Sequence, residues 1–178
     1  MEFDYVIVGG GSAGCVMAAR MAENTKLRIC LIEAGGENRN LAIRAPLGLA
    51  GLVPAFPFFR FANGAFETEP QAGLNDRRGY QPRGRGLGGS SAINAMLYTR
   101  GHPSDYDGWA RAGCAGWGWE DVLPWFRFSE RNSRGPDAFH GLSGPLQVGD
   151  QKRPRPMSRA FVDAAVEAGF PGNDDFNG

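Results

Sequence analysis

The chain has 178 residues, 42% of them hydrophobic and 21% charged, which is enough apolar surface to bury a core of ordinary size. Nineteen basic and nineteen acidic residues cancel, so no general attraction to nucleic acid is expected. Cys15, Cys30 and Cys114 are odd in number and lack C-x-x-C or metal spacing, so neither disulfides nor zinc is indicated.

The first predicted element is a strand. Tyr5-Val6-Ile7-Val8 is a continuous, β-branched apolar run between Asp4 and Gly9, and reads as a parallel strand buried on both faces. It starts within five residues of Met1 and leaves no room for a signal peptide, which places the chain in the cytoplasm as an expectation. Gly9-Gly10-Gly11-Ser12-Ala13-Gly14 follows and satisfies G-x-G-x-x-G. Gly14, Met17, Ala18 and Met21 then fall at i, i+3, i+4 and i+7, one helical face that can pack on a sheet. A second apolar run, Leu27 to Ile32, ends at Glu33, nineteen residues past Gly14, where a dinucleotide fold places the acid that takes the ribose hydroxyls.

The chemistry of this unit follows from its parts. A pyrophosphate needs donors without bulk, and the free N–H groups at a helix N-terminus provide them once glycines let the phosphates approach. Glu33 accepts from a ribose diol and repels a 2′-phosphate, which argues against NADP; FAD and NAD both carry the free diol.

Residues 36–90 hold many of the prolines and glycines and show no sustained period, so a bound dinucleotide is expected to order them as a wrapping segment. The apolar loop Leu41 to Phe61 is interrupted by Arg44, Pro46, Pro54, Pro57 and Arg60 and cannot span a membrane, though peripheral contact through it is left open. Arg77, Arg78, Arg83 and Arg85 form either a positive rim near phosphates or a solvated loop. Gly84, Gly86, Gly88 and Gly89 then precede Ser90, Ser91 and Asn94. Four glycines in six positions read as a backbone built to lie against a ligand.

The string GRGLGGSSAINAMLYTRGHPSDYD, residues 84–107, resembles the flavin-contacting signature of the glucose-methanol-choline (GMC) oxidoreductases, and most closely their choline and medium-chain alcohol dehydrogenase branch. Glu33-Ala34-Gly35-Gly36 resembles the flavoprotein form of the first motif, and Gly64 to Gln71 resembles a further family stretch in which relatives usually carry tryptophan at the position of Gly64. The resemblance implies an α/β architecture: an incomplete, Rossmann-type FAD-binding domain over residues 1–140, then the start of an α+β substrate domain at 141–178. It implies FAD contacts at Gly9, Gly11, Ser12, Ala13, Gly14, Glu33 and Ala34, and at Arg85, Leu87, Gly88, Gly89, Ser91, Asn94, Ala95, Met96 and Leu97. Ile93 stands where some choline-oxidising relatives attach the flavin to histidine, so a non-covalent FAD is expected.

The family's reaction would have a small alcohol as substrate and a quinone, cytochrome or oxygen as electron acceptor, with a location in the cytoplasm or at the inner membrane surface. The family's catalytic histidine lies near the C-terminus of much longer chains; His102 and His140 lie in no such motif, so no residue is assigned to catalysis and none to a metal. The chain is read as an N-terminal fragment or a truncated gene product, inactive by itself. Alternatives are a non-catalytic nucleotide-binding module, or a lyase or photodecarboxylase on the same scaffold.

By the same resemblance, Asn94 to Tyr98 opens a short helix or turn under the flavin, and Asp105, Tyr106, Asp107 and Trp109 help to cover it. Val122 to Phe126 is expected as an aromatic core helix with Pro124 in its first turn. His140 to Val148 reads as a turn and a strand, and Ser158 to Ala168 as an amphipathic helix with Phe161, Ala164, Ala165 and Ala168 on one side, ended by Gly169.

Overall fold

In the computed structural model the described residues are 1–54 and 60–178; the Pro57 part of the apolar loop lies outside them. Strand β1 (Tyr5–Val8) pairs in parallel with β2 (Ile29–Ile32), with Tyr5 opposite Ile29 and Val8 opposite Ile32. A parallel pair requires a crossover, and helix α1 (Ser12–Ala22) supplies it. The helix approaches the strand end so closely that a Cβ on Gly14 would overlap the Gly9 carbonyl. Gly14 is buried and Ala18 and Met21 are half-buried, but Met17 is exposed, so the packing face is narrower than the i, i+3, i+4, i+7 stripe. The expectation of a strand buried on both faces is also corrected. Only Ile7 is buried, and Val8 is 82% exposed, because this sheet has two strands and one covering helix among the described residues.

The irregular stretch that follows is built from short pieces: α2 (Leu41–Arg44), a 3₁₀ turn at Pro46–Gly48, α3 (Leu49–Leu52), and the antiparallel pair β3 (Phe66–Glu67) and β4 (Tyr80–Gln81). Leu52, Ala62 and Ile93 form a buried cluster with Ile43 against it. Protein groups order this region. The buried Asn63 donates through Nδ2 to the Leu52 carbonyl at 2.7 Å and the Tyr80 hydroxyl at 2.9 Å, and accepts through Oδ1 from the N–H groups of Ala65 and Arg83. The Tyr80 hydroxyl donates to the Val53 carbonyl at 2.8 Å. Asn63→Ala strips those partners inside a dry region and is expected to lower stability by about 1–3 kcal/mol, read by thermal denaturation followed by circular dichroism.

Residues Met1–Leu97 form one unit and Tyr98–Gly178 a second. The boundary expected at 140/141 falls inside the second unit, where β5 (Glu130–Asn132) pairs in parallel with β6 (Leu146–Val148) across it. Helix α4 (Pro103–Arg111) starts with proline at its first position and a capping box, in which the His102 ring accepts from Ser104 N–H while Asp105 accepts from His102 N–H at 2.9 Å. Helix α5 (Trp119–Ser129) begins earlier than expected, because Asp121 and Asp107 accept from the N–H groups of Gly118 and Trp119. Pro124 consequently sits inside the helix, not in its first turn.

Tyr106 is the buried hub of an aromatic cluster, with ring centroids 5.3 Å from Trp109, 5.6 Å from Trp119 and 5.7 Å from Phe126. The expected aromatic core helix is only partly realised, since Trp125 is 70% exposed. Helix α6 (Pro156–Glu167) closes with Gly169 at positive φ, but its Phe161 face is likewise exposed.

A charged network lies beneath the β5–β6 pair. Glu130 is 0% exposed and accepts from Arg100 Nη2 and the Gly141 N–H, each at 3.0 Å, and contacts His140 Nδ1 at 3.0 Å. His140, 2% exposed, reaches Asp175 through Nε2 at 2.6 Å. Arg100 also donates to the Phe139 carbonyl, and Asn177 ties its N–H to the same region. Asp137, His140 and Asp175 have ligand atoms within 4.8 Å of one another. Arg134 lies 3.8 Å from the Asp175 oxygen that His140 uses, so this cluster is an ion-paired latch on the last residues of the chain.

Candidate dinucleotide and flavin site

The first glycine turn joins β1 to α1. Gly9 has φ +98° and no atom within 4 Å of a built Cβ, so it needs glycine for its backbone conformation and leaves open space beside it. Gly11 caps α1 without a side chain, and Cys15 N–H is the first to bond back, to the Gly11 carbonyl at 2.9 Å. The N–H groups of Ser12 and Ala13 are left without an acceptor among the described residues. Bare donors, a helix dipole and missing side chains make a cradle for a diphosphate.

Glu33 directly follows β2, as the spacing requires, but its carboxylate is engaged. Oε2 accepts from Gly10 N–H at 2.7 Å, and Oε1 accepts from Gly35 N–H at 2.8 Å and Gly86 N–H at 2.9 Å. The Gly35 N–H is the strongest influence on its pKa; partial burial opposes it, the Gly10, Gly86 and Ala34 N–H groups add to it, and the result lies below the ordinary carboxylate value. Glu33 therefore stays ionised in acid where a free glutamate would not.

The second glycine segment docks on the first. Gly88 N–H donates to the Gly10 carbonyl at 2.8 Å, Leu87 N–H to the Gly36 carbonyl at 3.0 Å, and the hydroxyls of Ser12 and Ser91 lie 2.5 Å apart. The glycines here serve the protein's own packing first. A Cβ on Gly84 would strike the Gly89 carbonyl, one on Gly86 the Asn38 side chain, and one on Gly89, where φ is +52°, would lie 2.8 Å from Gly11 Cα. At Gly84, Gly86 and Gly89 the missing side chain is thus already required by protein neighbours. Gly89→Ala combines a left-handed backbone with that overlap and is expected to cost about 1–3 kcal/mol in thermal denaturation.

Beyond this junction a 3₁₀ turn, Gly89–Ala92, leads to an irregular run, so of the helix and the turn expected from Asn94 it is the turn that forms. Asn94 accepts Met96 N–H at 2.9 Å through Oδ1, which bends the chain and sets Met96 at φ +59°. Asn94, Ala95, Met96 and Leu97 are exposed, Leu97 by 84%. Ser12, Ala13, Ala34, Arg85, Leu87 and Ser91 are exposed as well, whereas Gly14 and Gly89 are buried. A cavity of about 190 Å³ opens between α2–α3 and this segment, lined by Ile43, Leu49, Leu52, Ser91, Ile93 and Met96 among others.

Of the arginine cluster, Arg77, Arg78 and Arg83 bond carbonyls of their own loop, which favours the solvated-loop reading. The sequence reading missed Asn38, which has φ +54° and donates to the Leu87 carbonyl at 2.6 Å; asparagine's tolerance of that backbone region was the available signal. Asp105 and Asp107 serve helix caps, and Tyr106 serves the aromatic cluster.

A parallel strand, glycine turn, helix and second strand followed by an acid make the kind of arrangement to which dinucleotides bind, and the second glycine segment docks beside it. The family model described as GMC oxidoreductase matches residues 3–178, and the chain belongs to that family, whose cofactor is FAD. The chain is 46% identical over 177 residues to an alcohol dehydrogenase [acceptor] of Pseudomonas putida, covering 99% of this chain and 31% of that protein. It is 43% identical over 178 residues to an oxygen-dependent choline dehydrogenase of Photobacterium profundum, with the same coverage of each. Among solved structures it is similar to pyridoxine 4-oxidase from Mesorbium loti, at TM-score 0.85 and 41% identity over 96% of this chain and 33% of that one. It is also similar to a formate oxidase, at TM-score 0.82 and 27% identity over 99% of this chain and 32% of that one. The chain thus spans about a third of the length of the curated relatives it matches.

Proposed function

We propose that the chain forms the FAD-binding portion of an oxidoreductase that oxidises a small alcohol, with a Rossmann-type start in its first unit and the opening of a substrate domain in its last residues. The observation that carries this is the docking of Leu87–Gly88 onto Gly10 and Gly36 beside the bare N-terminus of α1. The α1 amides of Ser12 and Ala13 hold the pyrophosphate, Glu33 meets the ribose, and the exposed run Asn94 to Leu97 offers the surface for the isoalloxazine. Bound flavin supplies a hydride acceptor at N5 for the alcohol carbon. Attachment is non-covalent: Ile93 carries no nucleophile and is buried with Leu52 and Ala62. The names of the dehydrogenase relatives support an alcohol substrate and a separate electron acceptor. We assign the substrate proton to no residue of this chain, so the chain by itself is expected to leave its flavin oxidised.

The purified chain is expected to show a flavin absorption spectrum, to release the chromophore through a filter after acid denaturation, and to keep its flavin oxidised when alcohols are added. Chromophore retained on the denatured protein would contradict the non-covalent assignment, and bleaching by an alcohol would contradict the absence of a base.

A further inference from the structure

The position of Glu33 invites a single role, acceptance of both ribose hydroxyls, yet its geometry shows most of its capacity spent inside the protein. A carboxylate offers about four lone-pair positions. Gly35 and Gly86 occupy both of those on Oε1, and Gly10 occupies one on Oε2. Gly86 lies 53 residues further along the chain and belongs to the second glycine segment, so this is a long-range tie. The surroundings are shaped for it. A Cβ on Gly10 would come within 3.0 Å of Leu87 and 3.2 Å of Glu33, and a Cβ on Gly35 would overlap the Arg85 backbone. The glycines therefore let three stretches of backbone close around one side chain.

We propose that Glu33 is a positioning residue that straps the second glycine segment to the first and to the turn after β2, leaving one acceptor position on Oε2 for a single ribose hydroxyl. This rests on the FAD reading for its ribose half and on the ligand-free geometry for its strap half. The depressed pKa of Glu33 is consistent with it, since each backbone donor stabilises the charged form. Hydrogen bonds to an ionised acceptor are also the ones whose loss is felt most.

Amide hydrogen exchange on the ligand-free chain tests the strap without any cofactor. In Glu33→Gln one acceptor oxygen becomes an NH₂ group that faces an N–H. Protection across residues 84–91 is expected to fall by about tenfold or more, while the tryptophan-reported unfolding of Tyr98–Gly178 stays where it was. Exchange in 84–91 equal to that of the unsubstituted chain would overturn the proposal. Should Glu33→Gln fail to fold, Glu33→Asp is read in its place; its shorter stem cannot reach Gly10 and Gly86 together, and the same loss is expected. Titration with FAD separates the two halves. Loss of protection in a chain that binds no FAD leaves the strap standing and removes the cofactor reading, whereas FAD binding with unchanged protection removes the strap.

Discussion

Glu130→Ala is expected to destabilise the unit Tyr98–Gly178 by about 3–5 kcal/mol, the largest effect of any single substitution considered. The reason is geometric. The substitution removes a fully buried carboxylate that serves Arg100, His140, and the Gly141 N–H together, and leaves a guanidinium with 2% of its side chain exposed facing no anion. Arg100 already has its Nε buried without a partner, so little is left to compensate. All four tryptophans, Trp109, Trp117, Trp119 and Trp125, lie in this unit, and urea denaturation followed by tryptophan fluorescence reads it selectively. A midpoint within error of the unsubstituted chain would show that the network does not hold the unit together.

The second large effect is on pH. Burial works against protonation of His140, but its hydrogen bonds to Asp175 and Glu130 and the charges of both outweigh burial and raise its pKa above the ordinary 6.5. The latch therefore contributes its full stability below the ordinary imidazole range and loses it as pH rises through the raised folded value. Asp175 shows the opposite sign: burial pushes its pKa up, while the Asn177 N–H and His140 pull it down further, so its share is lost in acid as pH falls through its depressed value. The tryptophan-reported melting temperature is expected to decline between about pH 6 and about pH 9, and the decline should flatten in His140→Gln. A melting temperature rising across that interval would contradict a protonated His140 between two carboxylates.

The local parts of the site were legible because they depend on short-range rules. The apolar run Tyr5–Val8, the G-x-G-x-x-G turn and Glu33 at its spacing gave β1, α1 and the end of β2 in the right places. What sequence could not supply was contact over distance. The glycines at 84, 86 and 89 signalled close approach correctly, but only the fold shows that the approaching surface includes the protein's own atoms: the Gly89 and Gly11 backbone at 84 and 89, and the Asn38 side chain at 86. His140 looked like a turn residue because Glu130 and Asp175, its partners, are far from it in sequence. Pro124 was misplaced because the caps of α5 come partly from Asp107, on another helix. The bare faces of β1 and α6 follow from what packs against them, which no periodicity encodes.

The claim that two glycine segments make one FAD site is tested most directly by following flavin fluorescence while the chain is titrated with FAD, with FMN, and with FAD in the presence of ADP. The account predicts that FAD binds, that FMN, lacking the ribose that Glu33 would meet and one of the two phosphates that the Ser12 and Ala13 amides would hold, binds far more weakly, and that ADP displaces FAD. Equal binding of FMN and FAD, or FAD binding indifferent to ADP, would contradict it.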